Sequence, residues 1–165
     1  MVVMLLRRRT LSSAEAEKIA DGLRVFLDAA LLRKLVKQGV DKLEGEKFSL
    51  IIIGPYVFIM RENTLAPALG KTNSEILDRL PSVWVDRGAV AKVASGADVM
   101  RPGITRMDHF KKADVVVVRD ENHSQPIAVG LALTSSGEAS GALKGKVVKN
   151  IHHVDDAVWR TVKIM

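Results

Sequence analysis

The first half of the chain carries two helical stripes followed by a strand pair; the second half carries short strands separated by turn residues. Ser12 is followed three residues later by Glu15, the spacing of a capping box. Ile19, Leu23, Phe26 and Leu27 then recur on one face, which predicts a helix from about Ser13 to Leu27. Leu31, Leu32, Leu35 and Val36 predict a second helix that ends at Gly39. Val40–Lys47 is charged, contains Gly45 and reads as a loop, with room for a short strand before it. Phe48–Ile53 and Tyr56–Met60 are rich in β-branched and aromatic residues around Gly54-Pro55, the pattern of a tight hairpin. Met1–Arg9 reads as extended, with three arginines at its end. Ser74–Leu80 predicts a short helix closed by Pro81. These elements make residues 1–80 an α+β domain.

Val83-Trp84-Val85 begins a new strand pattern, so a second domain is expected over residues 82–160. Asp114–Arg119 is an apolar run with polar ends. Ile127, Val129, Leu131 and Leu133 alternate, which predicts a strand with one buried face. Thr134–Gly141 reads as a loop or single helical turn, Lys146–His153 and Val158–Val162 as final strands, and Asp155-Asp156 as the turn between them. Several short strands with one short helix imply a mainly β barrel or sandwich.

That helix lies in Gly88–Thr105. Val90 and Val93 share a face with Ala94 beside them, and Lys92 points elsewhere. Gly96 sits where a helix needs a residue of positive φ, and Pro102-Gly103 forms a turn. Two readings fit the spacing: a capped helix and turn serving the fold alone, or an anion site with Lys92 and Arg101 on adjacent rigid elements.

Composition sharpens the choice slightly. The 165 residues are 47% apolar and only 4% aromatic, so the core must be Val, Ile, Leu, Ala and Met. The net charge is +6, with 13 basic against 10 acidic residues up to Leu80 and 12 against 9 after it. Distributed basicity of this kind suits a polyanion partner. The absence of cysteine excludes disulfides, thiolate catalysis and zinc–sulfur sites, and fits a cytoplasmic protein. No apolar run is long enough to cross a bilayer, and Met1–Leu6 precedes its arginines, the reverse of a secretory signal, so no membrane partner is expected.

The block G-A-V-A-K-V-A-S-G-A-D-V-M-R-P-G-I-T closely resembles the helix and loop of PUA domains, RNA-binding modules named after pseudouridine synthases and archaeosine transglycosylases. The resemblance continues through Asp114–Arg119, Pro126–Leu133 and Gly145–Trp159, with N-I-H-H-V-D-D-A-V-W near the end. That ending is similar to small two-domain PUA proteins related to ligatin and to the translation re-initiation factors that partner density-regulated protein. The resemblance implies a PUA pseudo-barrel preceded by an α+β domain. It also implies an RNA-contacting surface on this helix, its following loop and a late strand. Carried onto this chain, the surface comprises Lys92, Gly96, Arg101, Gly103, Arg106 and Lys149. Cations supply charge there, and glycines without Cβ let backbone amides approach a phosphate. Val93, Ala97 and Val99 are expected in the core, and Met100 fits either place.

Catalytic chemistry has few candidates. His152 and His153 are adjacent, so on a strand they face opposite ways and cannot share a metal; ordinary surface or partly buried histidines are expected, and no metal or other cofactor. Gly141–Lys146 resembles a phosphate loop but has Ser140 where a glycine is needed and Val147 where Ser or Thr would hold magnesium. Lys144 and Lys146 remain possible phosphate contacts, as does Arg7-Arg8-Arg9. With few aromatic stacking platforms, shape and backbone recognition of structured RNA is expected rather than single-strand reading. The leading expectation is a non-catalytic protein binding tRNA or rRNA, linked to translation and to the small ribosomal subunit. The alternatives are a protein-interaction adaptor acting through the N-terminal domain, and an accessory subunit of an RNA-modifying enzyme.

Overall fold

The computed structural model describes residues 6–165. The chain forms two compact units that divide between Ala68 and Leu69.

In the first unit, β1 (Arg7–Thr10) leads into α1 (Ser13–Leu23) and α2 (Ala29–Gln38). Then follow β2 (Val40–Glu44), β3 (Ser49–Ile53), β4 (Tyr56–Arg61) and β5 (Thr64–Pro67). The five strands form one antiparallel sheet in sequence order. The segment read as a charged loop is therefore largely strand: Val40–Glu44 pairs with β1 on one side and β3 on the other, which satisfies its backbone despite the charged side chains. The hairpin turns at Gly54-Pro55 as its sequence predicts. Residues 1–5 of the expected first strand lie outside the described residues.

The capping box at Ser12 and Glu15 is present, but α1 stops at Leu23, four residues before the expected end. Asp28 adopts an extended backbone and accepts from the Leu31 amide, so it begins a new helix instead of continuing the old one. Phe26 and Leu27 are buried all the same, with the Phe26 ring 5.5 Å from that of Phe58. Leu23, Leu50, Ile51, Ile53, Phe58 and Ile59 are each fully buried, with Ile51, Ile53 and Phe58 on one face of the sheet and Leu50 and Ile59 on the other.

Two of the three N-terminal arginines serve this unit. Arg8 lies 2.7 Å from Asp41, and Arg9 bridges Glu15 at 2.8 Å and Glu44 at 3.0 Å. Their charge is therefore compensated, which removes Arg8 and Arg9 as free phosphate contacts; Arg7 is exposed. Hydrogen bonds from Arg9, and next from Ser12, hold the Glu15 carboxyl down to about 2. A depressed folded-state value adds stability that is present above the ordinary 4.5 and is lost as pH falls toward 2. Glu15→Gln should flatten the stability profile across that window, a small effect because the group is exposed. Melting curves recorded through the acid range check this, and parallel profiles for the two proteins would contradict it.

The second unit contains α3 (Ser74–Arg79), β6 (Ser82–Val85), α4 (Arg87–Val93), β7 (Val99–Met100) and β8 (Ile104–Met107). It continues with β9 (Val115–Asp120), β10 (Pro126–Ala132), α5 (Ser136–Gly141), β11 (Lys146–His153) and α6 (Ala157–Lys163). The compact units divide before α3, because α3 and its approach bond into the second unit. Asp78 meets Arg119, and the Leu69 amide donates to His152.

The strands run in the order β7-β11-β10-β9-β6-β8. The edge strands β7 and β8 are consecutive in the chain, joined by the single turn Arg101–Gly103, so the sheet is a nearly closed barrel. Its core includes Val83, Val85, Val93, Val116, Val118 and Val148. The fold is thus the expected α+β unit followed by a mainly β barrel, accompanied by short helices. Two local expectations fail. Ala128, Gly130 and Ala132 are buried as well as Ile127 and Val129, while Leu131 and Leu133 are partly exposed, so β10 is not one-sided. Flanking strands β9 and β11 cover it on both edges. Residues 158–162 form part of α6 and not a strand, because the Asp156 carboxylate accepts from the Trp159 amide and starts a helix.

Candidate nucleic-acid interface

The Asp86 side chain caps α4 by accepting from the Ala89 amide. Val93 is buried and Lys92 is exposed, as the helical spacing requires. The Lys92 ammonium has no partner among the described residues. The helix ends in a reversal in which the Ser95 and Ala97 amides both donate to the Lys92 carbonyl. Gly96 sits in that reversal at φ 101°, a conformation that disfavours any other residue. A Cβ there would lie 3.4 Å from Nε2 of His153.

Asn150 on β11 fixes this reversal in place. Its Nδ2 donates to the Val93 and Ala97 carbonyls at 3.0 Å each, and its amide donates to Asp98. Its Oδ1 is buried and accepts from no described residue, which leaves one acceptor beside the glycine turn for water or a ligand donor. Lys149 is the neighbouring residue on β11 and is half-buried. Lys146 reaches Asp98 at 3.3 Å. Lys92, Gly96 and the middle of β11 therefore form one hydrogen-bonded group.

The other predicted residues behave differently. Arg101 is partly buried, and its guanidinium donates to the Ala139 carbonyl at 2.6 Å and to the Ile104 carbonyl at 3.3 Å. Arg101 thus ties α5 to the start of β8. Gly103 has no positive φ; what matters is space, since a Cβ there would come within 2.8 Å of the Ala89 Cβ on α4. Arg106 is exposed on β8, with its guanidinium 3.8 Å from the Trp84 ring centroid. Ala97, expected in the core, is exposed, while Val93 and Val99 are buried and Met100 is 45% exposed.

One histidine departs from the sequence reading. His152 is fully buried, accepting from the Leu69 amide and bonding Asp156 at 2.8 Å. Burial would raise the Asp156 carboxyl, but hydrogen bonds from His152 and from the Trp159 and His153 amides outweigh it and hold the group below its usual range. His153 is half-buried beside Gly96. Among the described residues, no cluster of side chains could hold a metal ion, and no helix is long and apolar enough to cross a membrane.

This barrel matches the PUA domain family over residues 81–154. An uncharacterized protein of Methanocaldococcus jannaschii is 37% identical, the match covering 93% of this chain and 95% of its own. The chain belongs to the PUA-domain proteins. A hypothetical protein from Pyrococcus horikoshii has the same architecture throughout, with a TM-score of 0.74 and 32% identity over 94% of this chain and 99% of its own. Translation machinery-associated protein 20 of Saccharomyces cerevisiae is 27% identical, covering 86% of this chain and 90% of its own. The likeness thus takes in the α+β unit as well as the PUA domain. Within the PUA domain, sequence reasoning singled out Lys92 and Gly96 but not Asn150, which bonds their reversal, or Trp84, which lies against Arg106. The strand alternation around Trp84 was the available signal, since it turns the indole away from the buried Val83 and Val85.

Proposed function

We propose that this is a non-catalytic RNA-binding protein of the translation machinery that grips structured RNA, tRNA or rRNA, through its PUA domain. The observation that carries the reading is a rigid, glycine-bounded reversal at Gly96 flanked by the uncompensated cation Lys92, with a second uncompensated cation, Arg106, on β8. A phosphate backbone needs such fixed cations and accessible amides. Lys149 stands beside the reversal, and Gly103 lets α4 pack against the turn into β8. Arg101 supports the surface by holding α5, with its two carbonyl bonds setting the turn. The name of the yeast relative supports the link to translation; a cytoplasmic site of action on the small ribosomal subunit is part of this proposal.

Binding to tRNA or rRNA should weaken with salt through counterion release. Two phosphate contacts give a log–log slope of about −1.5 or steeper. A salt titration of affinity checks this, and an affinity independent of salt would sink the proposal. Crosslinking in cells followed by sequencing then identifies the bound RNA.

A second reading, a protein-interaction adaptor, has one specific observation in its favour. A groove of about 430 Å³ lies between α1 and α2, with an apolar floor of Ala20, Ala29, Leu32 and Val36. Glu17, Asp21 and Arg24 line one side, with Arg24 3.4 Å from Asp21, and Arg33 and Lys37 the other. A partner captured through that groove after nuclease treatment would favour the adaptor.

A further inference from the structure

Trp84 is one of two tryptophans in the chain, and it is not in the core. It stands in the middle of a row of outward side chains across three adjacent strands: Arg106 on β8, Trp84 on β6 and Arg119 on β9. The indole is fixed. Its Nε1 donates to Ser124 Oγ at 3.0 Å, and its strand is paired on both edges. The two arginines beside it differ. Arg119 is anchored, donating to Ser82 Oγ at 2.8 Å and the Ser124 carbonyl at 2.9 Å and reaching Asp78 at 3.4 Å. Arg106 has no hydrogen bond or ion pair with any described residue; it has only the indole, 3.8 Å away.

That arrangement holds a guanidinium in place against an aromatic ring while leaving it exposed. A guanidinium is planar, stacks on π systems and carries five N–H donors, so a held one presents both a stacking surface and an edge. Two carboxylates of this region, Asp120 and Asp78, are already engaged. Asp120 accepts from the His123 and Gln125 amides of its own turn, which hold it below its usual range against the effect of burial, and Asp78 meets Arg119. Neither is left to neutralise Arg106.

We infer that Arg106 on Trp84 is a stacking platform for a single unpaired nucleobase of the bound RNA. The base lies on the open side of the guanidinium, and the N–H edge meets base acceptors or the adjacent phosphate. This rests on the proposed RNA-binding function and adds a preference that backbone recognition alone does not give: RNA with an extruded base over RNA fully paired.

The test compares two RNA hairpins with the same stem, one fully paired and one bulged by a fluorescent adenine analogue. Wild type should prefer the bulged hairpin roughly tenfold, in line with one base stacked on a platform, and should change the analogue's fluorescence on binding. Arg106→Lys keeps the charge but removes the planar surface, so it should bring the ratio of the two affinities near one. Trp84→Leu should do the same with the arginine still present, because the guanidinium is no longer held. Equal binding of both hairpins by wild type, or a preference that survives Arg106→Lys, overturns the platform and leaves the RNA-binding function standing. Failure to bind either hairpin overturns both.

Discussion

Gly130→Ala is expected to lower the stability of the second unit by about 3 kcal/mol, enough to reduce its melting temperature by roughly 12–24 °C. Gly130 lies in β10, between Val116 of β9 and Asn150 of β11, at a break in register with β11. A Cβ there would collide with the Val148 side chain and come within 2.5 Å of the Lys149 carbonyl oxygen. Neither neighbour can give way, since Val148 is fully buried in the barrel core and the carbonyl is backbone. Only movement of β11 relieves the clash, and β11 carries Asn150, which fixes the glycine reversal. Gly141→Ala is the control, because nothing lies within 4 Å of a Cβ at that position. Calorimetry of the two variants decides the matter, and equal melting temperatures would show that the barrel tolerates a side chain at Gly130.

His152→Leu is expected to cost a similar amount, about 3 kcal/mol, although leucine suits a buried site. The Leu69 amide donates to Nε2 at 3.0 Å, so the proton resides on Nδ1 and is donated to Asp156. Leucine leaves the buried amide without an acceptor and the Asp156 carboxylate without its main side-chain partner. It also loosens α6, because Asp156 is the helix cap and accepts from the Trp159 amide at 2.8 Å. Hydrogen exchange should show the loss first at Leu69 and in Ala157–Lys163. Unchanged protection there, with unchanged melting, would mean that the His152 hydrogen bonds contribute nothing net.

These two residues mark where sequence reasoning ended. The capping box at Ser12, the hairpin at Gly54-Pro55 and the strand Lys146–His153 were all legible, because local residue chemistry alone sets them. The barrel was legible through the Gly88–Thr105 block. The segment around Val158 was not, because its β-branched residues favour a strand while the deciding bond, Asp156 to the Trp159 amide, depends on how the chain turns after β11. His152 looked like any histidine because its partners are a distant amide and a carboxylate four residues on. The structural engagement of Arg101 was hidden for a related reason. Its charge is visible in sequence, but the Ala139 carbonyl it holds lies 38 residues away. The exposure of Lys92 was legible because a helical face shows directly that its side chain leaves the core. Arg106 is exposed as a surface cation must be, but the indole beneath it comes from a strand more than 20 residues earlier and was not legible.

The central claim is that exposed cations on the PUA surface bind structured RNA, and Lys92→Glu combined with Arg106→Glu tests it most directly. Both side chains are exposed and neither holds a described carboxylate, so the fold should survive, with an unchanged melting temperature as the check. Arg101 is left in place, since its loss would disturb α5. Affinity for tRNA or rRNA at fixed salt should fall by about 2 kcal/mol, roughly thirtyfold, with a shallower salt slope. A folded double variant that binds with wild-type affinity and slope would contradict the account.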